Sequence, residues 1–495
     1  MYFVLSIFFP ILAGMYLLVR KEMKDRKNLL VTVAAALSVT AVFVVLTFFR
    51  SGPGMFTLFN LTDRLPVLFK ADEISVVFSS MTLLVFLCAG VFSFEYMKHE
   101  EADENHIREK RYYGFYLIVL GVLIALCFAG NLITFYLFFE ILTLSSMPLV
   151  LHNGSREAVM AGLKYLFYSL CGAYMSLFGV YFIERYGNTL TFSEGGVISA
   201  QAAASHGGIL LFTAMLMLIG FGVKAGMFPM HAWLSAAHPV APAPASAILS
   251  AVIVKAGVLA VIRVVYYIFG VSFLKGTWVQ NVWMILTLLT IFMGSMLAYR
   301  EPVLKKRLAY STVSQLSYIL FGFSVMDADS VTGGLLHVLC HGFIKAALFL
   351  CAGAVIYTTG KTRVEELRGI GKEMPLLIWC YTIASLGLIG IPPTGGFVSK
   401  WYLAQGALSS GIVGFNWIGP VILLVSALLT AGYLLPVTIY GFFPGADFDY
   451  GNFKKKEPSR LMTVPVLVLT VLSVLIGLFP EGVIDYLSHI VIKIM

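Results

Sequence analysis

Apolar residues run along this chain in long blocks, and polar residues cluster between them. A helix needs about 20 mostly apolar residues to cross a bilayer. By that measure the pattern predicts about fourteen spans. Their limits fall at 2–19, 29–49, 75–95, 113–129, 131–150, 159–183, 208–235, 244–269, 278–298, 309–326, 331–357, 375–407, 416–443 and 461–480. Two spans are interrupted. "GVKAGMFPMHAW" places Lys224 and Pro229 in the seventh, and "GIPPTGGFVSKWY" places Pro392, Pro393, Gly395 and Gly396 in the twelfth, just before Lys400. Broken helices at membrane depth free backbone carbonyls and amides, which are tolerated only against protein or a cavity. Interrupted segments at corresponding places in two halves point to an inverted repeat with an ion path. Spans 4–8 would match spans 9–13. The chain then divides into N-terminal helices (1–112), a first five-helix repeat (113–269), a second (278–443) and a C-terminal helix and tail (444–495). The expected fold is an all-α polytopic membrane protein with two inverted repeats and broken spans 7 and 12.

Composition agrees. Of the 495 residues, 59% are hydrophobic and 12% charged, with a mean hydropathy of +0.88, whereas soluble domains carry about 25% charged residues. The net charge of +8 therefore reads as topology and not as affinity for nucleic acid. With the N-terminus outside, the inner loops hold Arg20, Lys21, Lys24, Arg26 and Lys27; Lys98, Arg108, Lys110 and Arg111; Arg156; Arg300, Lys305, Lys306 and Arg307; Lys361, Arg363, Arg368 and Lys372; and Lys454, Lys455, Lys456 and Arg460. The outer segments hold only Arg50, Arg64, Lys70, Arg185, Lys275 and Lys493. The positive-inside rule then puts both termini on the outer face, in a prokaryotic inner membrane. The first apolar run precedes its charges, so it does not read as a cleavable signal. Cys88, Cys127, Cys171, Cys340, Cys351 and Cys380 all fall in apolar segments and form no CxxC. They read as small hydrophobes and supply neither disulfide nor metal site.

The charges left inside the spans carry the chemistry. They are Lys164, Lys224, Lys255, Arg263, Lys345 and Lys400, with one deep acid, Glu140, and with Asp72 and Glu73 at the mouth of the third span. A lysine at mid-membrane costs roughly 2.5–3.5 kcal/mol on insertion scales, and such residues are functional candidates by default. Desolvation disfavours an isolated buried ammonium, and a nearby carboxylate reverses that preference. Lysines with one movable acid partner thus form switchable proton sites. Glu140 and Lys224 are the natural pair, although an ion pair that merely locks two helices is the alternative. Lys255 follows a proline-rich re-entry, "HPVAPAPASA", and could instead line a watery vestibule without titrating. His337, His341 and Lys345 recur every four residues in "HVLCHGFIKAALF". That spacing shares one helical face, and imidazole titrates near physiological pH. Lys164 is either an access-side site or a snorkelling surface lysine, and Arg263 reads as snorkelling outward. "KKRLAYSTVSQLSYI" gives the tenth span a polar face that would carry water or, more commonly, bond helix to helix.

Five stretches in order resemble one family: "NLITFYLFFEILTLSSMPLV", "GVKAGMFPMHAWLSAAHPVAPAPASAILSAVIVKAGVLAVIRV", "KKRLAYSTVSQLSYI", "LLHVLCHGFIKAALFLCAGA" and "GLIGIPPTGGFVSKWY". They resemble the antiporter-like subunits shared by respiratory complex I, the multisubunit Mrp cation/proton antiporters and the membrane-bound group 4 hydrogenases. The likeness covers roughly residues 70–440. It implies a fourteen-helix core with a central hydrophilic axis. It also implies roles in proton translocation for Glu140, Lys224, Lys255, His337, His341, Lys345 and Lys400; Lys164, His231 and Asp72 are further candidates for entry or accessory sites. Lys400 speaks against the M-type subunit of complex I. The chain stops about fifteen residues after its last span, unlike the L-type and large A-type Mrp subunits. "GLKYLFYS" is similar to the D-type Mrp subunit, and "HAWLSAAHPVAPAPASA" to hydrogenase relatives. Ser235 and Ala236 stand where the family motif has Pro-Asp, which puts in doubt any role borrowed for an acid at that turn.

The expected function is a proton-translocating, antiporter-like subunit of a multisubunit respiratory complex. The alternative is a D-like component of an Mrp-type sodium or potassium/proton antiporter. A third reading is a structural subunit whose charges only fix helix packing. Without GxGxxG, P-loop or CxxC motifs, no cofactor, metal or catalytic site of its own is expected. The implied partners are other membrane subunits, including further antiporter-like chains and small hydrophobic subunits, with iron–sulfur or other redox subunits at the periphery in a respiratory assembly.

Overall fold

The computed structural model describes residues 2–20, 25–49, 54–62, 65–100, 106–445, 448 and 455–495. Lys21, Lys24, Arg50, Arg64 and Lys454 of the loop-charge count lie outside the described residues.

Helices α1 (Tyr2–Val19) and α2 (Arg26–Phe48) precede an antiparallel hairpin, β1 (Met55–Thr62) and β2 (Leu65–Lys70). Then come α3 (Glu73–Tyr96), α4 (Ile107–Cys127), α5 (Leu132–Val150), α6 (Arg156–Tyr186), α7 (Ala200–Gly222) and a short α8 (Ala232–Val240). The eighth span is one rod with two widened π segments: α9 (Ala243–Ile248), π turns at Leu249–Ile253, α10 (Lys255–Ile262) and π turns at Arg263–Phe269. A one-turn α11 (Val271–Leu274) leads to α12 (Trp278–Arg300), α13 (Leu304–Val325) and α14 (Ala328–Thr359). The chain ends with α15 (Ile370–Glu373), α16 (Pro375–Ile389), α17 (Gly395–Ser409), α18 (Phe415–Phe442), α19 (Arg460–Leu478) and α20 (Glu481–Ile494).

Every expected span has its helix, and both expected breaks are present. Twelve helical stretches among the described residues are long and apolar enough to cross a membrane. The expected spans outside that count are the tenth, where the polar face of α13 lowers its hydropathy, and the twelfth, which is split into α16 and α17. The break in the seventh span separates α7 from α8. The α7–α8 segment runs away from the hairpin face, and α16–α17 runs toward it.

Polar side chains at the helix starts hold the frame. Asn131 accepts from Thr134 N at 2.8 Å, and Asp72 from Ser75 N at 2.9 Å, satisfying amides that have no partner in the first turn. The hairpin, the α4–α5 turn and the 188–197 loop knit together on one face, through Lys70 N to Phe128 O and Val197 N to Ile268 O. Both chain ends lie on this face: Phe3 packs on Phe128, and Lys493 pairs with Glu73 at 2.5 Å. The opposite face gathers basic loops, where Arg26 grips Glu109 at 2.8 Å.

Two elements depart from expectation. Residues 55–62 and 65–70, inside an expected loop, form the two strands of the hairpin. Part of the expected tail is α20, which buries Leu487, Ile490, Val491 and Ile494.

Candidate functional site

The seventh span breaks after Gly222. Between there and α8 the backbone is irregular, with Gly226 at φ +69. Lys224 sits in this break and is 1% exposed. Its Nζ donates to Thr143 Oγ1 at 2.7 Å and to the Phe139 carbonyl at 3.2 Å, over the Phe139 ring. Span 8 can approach because residue 257 is glycine: a Cβ there would lie 2.6 Å from Ala225 N. Glu140 lies between Phe139 and Thr143 on α5, yet Lys224 makes no ion pair with it. Glu140 Oε1 is buried without a hydrogen-bond partner. The expected pair is thus close but unmade, because the ammonium docks one residue before and one turn beyond the carboxylate.

Lys255 follows the first π segment. The widened turn releases a carbonyl, and Lys255 Nζ takes it, donating to Ser250 O at 3.1 Å. A cavity of about 10 Å³ borders Lys255, Thr82, Leu126, Cys127 and Leu259, close to the room one water needs.

On α14, His337, His341 and Lys345 are all buried along one face, as their spacing requires. The two imidazoles stack, with centroids 5.9 Å apart. His337 is held on both sides, by Ser399 Oγ at 2.8 Å and by Gln315 Oε1 at 3.0 Å. His341 is fully buried and neither ring nitrogen has a partner. Lys345 Nζ donates to Ser311 Oγ at 2.7 Å and Leu308 O at 3.0 Å. Lys400 Nζ donates to Leu388 O at 2.6 Å and Ile389 O at 3.0 Å, the carbonyls freed where α16 stops at Gly390 (φ +92). It also lies 4.8 Å from the Tyr318 ring centroid. Each broken span thus carries a lysine bonded to neutral oxygens, buried at Lys224 and half-buried at Lys400.

Lys255, His337, His341 and Lys345 are buried around the polar face of α13, with half-buried Lys400 beside them. Lys224 hangs apart on α5, and none of its hydrogen bonds reaches that group. The polar face of α13 bonds helix to helix. Ser311 and Gln315 hold the axis, and Ser314 bonds Ser295 and Ser426, tying three helices together.

The remaining candidates differ in kind. Lys164 is exposed on α6. His231 is half-buried, stacked on Phe228, with Nδ1 unpartnered. Asp72 does not face the axis. It caps α3 and grips Arg263 through Oδ2 at 2.5 Å and Oδ1 at 2.9 Å. Burial would raise the Asp72 carboxyl, but the Arg263 charge and the hydrogen bonds hold it below its ordinary value. Arg263 itself is 1% exposed, so the expected snorkelling does not occur. A guanidinium paired inside has no need of water.

Sequence reasoning misses His238 and Lys305. His238 is fully buried against Phe349, with both ring nitrogens unpartnered. Lys305 Nζ donates to Ala241 O at 2.6 Å. Lys305 lines a cavity of about 430 Å³ together with Asn153, Pro239 and Val240. A histidine seven residues after His231, inside the same proline-rich stretch, is the available signal. Among the described residues no group of three or more His, Cys, Asp or Glu is placed to hold a metal.

Residues 129–430 match the transmembrane family of NADH:quinone oxidoreductase and the Mrp antiporter. The chain belongs to this family. NADH-quinone oxidoreductase subunit N of Desulforudis audaxviator (strain MP104C) is 32% identical over 411 residues, 81% of this chain and 79% of that protein. The D-type subunit of the Na(+)/H(+) antiporter of Bacillus subtilis (strain 168) is 27% identical over 488 residues, covering 98% and 95%. Hydrogenase-4 component B of Escherichia coli (strain K12) is 30% identical over 432 residues, covering 83% and 62%. Among solved structures, a chain of the Mrp complex from Dietzia sp. DQ12-45-1b superposes with a TM-score of 0.84 at 22% identity, covering 99% of this chain and 97% of that one. The family's transmembrane match spans α5 to α18 and so takes in Glu140 and the whole lysine–histidine group.

Proposed function

We propose that this chain is a proton-translocating, antiporter-like subunit of a multisubunit respiratory complex in a prokaryotic inner membrane. The observation that carries this reading is the bonding of four lysines within the spans, three buried and one, Lys400, half-buried. Lys224, Lys255, Lys345 and Lys400 donate only to carbonyls and hydroxyls. None of them forms an ion pair among the described residues. A charge that only locks helices would be paired, because an unpaired buried charge is strongly destabilising. Lysines held by neutral oxygens can instead gain and lose a proton without breaking the packing.

In this reading protons enter from the basic-loop face, pass Lys224, Lys255 and the His337/His341/Lys345 stripe, and leave near Lys400. Glu140 modulates Lys224 by pairing and unpairing. The two inverted repeats are residues 113–269 and 278–443, and the excess of basic residues on the loops opposite the hairpin puts both termini outside. The driving force comes from partner subunits of the same complex.

The relatives named as Mrp-type antiporter subunits support a second reading, a D-like part of a sodium/proton antiporter. Sodium prefers oxygen ligands, and an axis of lysines suits protons better. Purifying the native complex in mild detergent and identifying its subunits by mass spectrometry separates the two. Iron–sulfur or other redox subunits would support the first reading. Only small hydrophobic subunits and another antiporter-like chain would overturn it in favour of the second.

A further inference from the structure

Two separate cavities lie on either side of the outer half of the eighth span. On the inner side is the small cavity at Lys255, Thr82, Cys127 and Leu259. On the hairpin face a cavity of about 430 Å³ opens between Lys70, Asp72, Glu73, Glu194, Tyr267 and Lys493. Arg263 stands between them. It lies one helical turn beyond Leu259, which lines the small cavity. Its guanidinium is gripped by Asp72 and reaches Ser75 Oγ at 3.5 Å. The rings of Phe192 and Tyr267 hold it at 5.0 and 4.6 Å. Asp72 and Tyr267 also line the outer cavity, so the clamp forms its floor.

A polar stripe leads to this floor. Asp72, Ser75, Ser79 and Thr82 follow one another along the buried face of α3. Their hydroxyls are turned back on their own helix, Ser79 to Ser75 O at 2.5 Å and Thr82 to Phe78 O at 2.7 Å. The stripe runs from the floor of the outer cavity to Thr82, which borders the small cavity at Lys255.

We propose that Arg263, positioned by Asp72, is an electrostatic seal that closes the Lys255 site against the hairpin face. A fixed cation in a narrow, low-dielectric passage repels hydrated protons and other cations, as arginines do in selective pores. Arginine suits the task because it stays charged under all ordinary conditions, whereas a lysine could release its proton. Asp72 and the two rings hold the guanidinium across the gap. The seal has a place only if Lys255 carries protons, so this inference rests on the proposed function. It forces protons on Lys255 to move along the axis rather than leak back.

The test is passive proton conductance of the assembled complex in vesicles, read from the decay of an imposed pH gradient with no driving reaction. Asp72→Asn keeps the cation and should leave the membrane tight. The double variant Arg263→Gln/Asp72→Asn removes the cation while keeping polar side chains. It should raise the leak well above that of the native complex and of Asp72→Asn. It should also expose Cys127, buried behind the seal in the native chain, to a membrane-impermeant methanethiosulfonate applied to the hairpin face. A tight double variant with Cys127 still protected would overturn the proposal. Should the double variant fail to assemble, Asp72→Asn decides: a leak from it would show that the ion pair, not the cation, closes the path, and would equally overturn the proposal. Because the leak is measured without pumping, its outcome is separate from that of Lys224→Ala, which tests the function itself.

Discussion

Lys224 Nζ donates to Thr143 Oγ1 at 2.7 Å, while Glu140, one turn earlier on the same helix, keeps a buried carboxylate oxygen without a partner. The two lysine positions, docked on Thr143 or paired with Glu140, are near neighbours in space. A small movement of Lys224 within its broken span would exchange one for the other. The irregular backbone between α7 and α8 allows such a movement more readily than a continuous helix would.

Thr143→Val should therefore weaken the docked position while leaving the helices packed. A hydrogen bond from a charged donor contributes about 1.5–3 kcal/mol, which corresponds to a tenfold or greater shift toward Glu140. Driven proton transport by the complex is expected to fall several-fold with subunit composition unchanged, and Thr143→Ser should restore it. Transport unaffected by Thr143→Val would show that this contact plays no part in the cycle.

His341 offers a separation of stability from transport. It is fully buried with both ring nitrogens unpartnered, and unsatisfied polar groups cost about 1–3 kcal/mol each. His341→Met fills similar volume without those atoms. Thermal unfolding of the complex should be unchanged or moved upward, while proton transport drops. A histidine that only packs would give the opposite, a lower unfolding temperature and normal transport.

Gly257 tests the close approach that places Lys224. An alanine Cβ would lie 2.6 Å from Ala225 N and 2.8 Å from Phe221 O, both backbone atoms that cannot rotate aside. Overpacking of this kind costs about 1–3 kcal/mol. Gly257→Ala is expected to lower the unfolding temperature and to impair transport more than its stability loss explains, because the atoms displaced are those beside Lys224.

The Asp72–Arg263 clamp has a defined acid limit. The Asp72 carboxyl sits below its ordinary value in the folded chain. A depressed carboxylate contributes stability that is fully present above the unfolded value, about 3.9, and is lost as pH falls through the folded one. The unfolding temperature of the native complex should therefore respond to this clamp only in acid below about pH 4. Asp72→Asn should flatten that acid limb. An identical acid limb in native and Asp72→Asn complexes would exclude the clamp as its source.

Much of this arrangement is legible in the residues. Long apolar blocks define the helices, because a bilayer demands length and apolarity. The prolines and glycines around Lys224 and Lys400 mark both breaks. The four-residue spacing of His337, His341 and Lys345 places them on one face. Partners across helices are not legible, because periodicity says which face a side chain occupies and not what meets it. Thr143 taking Lys224, and Ser311 taking Lys345, are of that kind. Arg263 reads as snorkelling in the sequence because its partner Asp72 is 191 residues away. The helix α20 escapes a search for apolar blocks because its apolar residues form a stripe. His238 escapes because it lies in a proline-rich stretch that reads as a turn.

The central claim is that the buried lysines carry protons, and Lys224 is where it is most directly tested. The measurement is driven proton transport by the native complex and by its Lys224→Ala and Glu140→Ala variants, reconstituted in vesicles with subunit composition verified. Loss of most transport in Lys224→Ala, with a partial loss in Glu140→Ala and intact assembly in both, is the expected result. Full transport in both variants would contradict it and leave these charges a purely structural role.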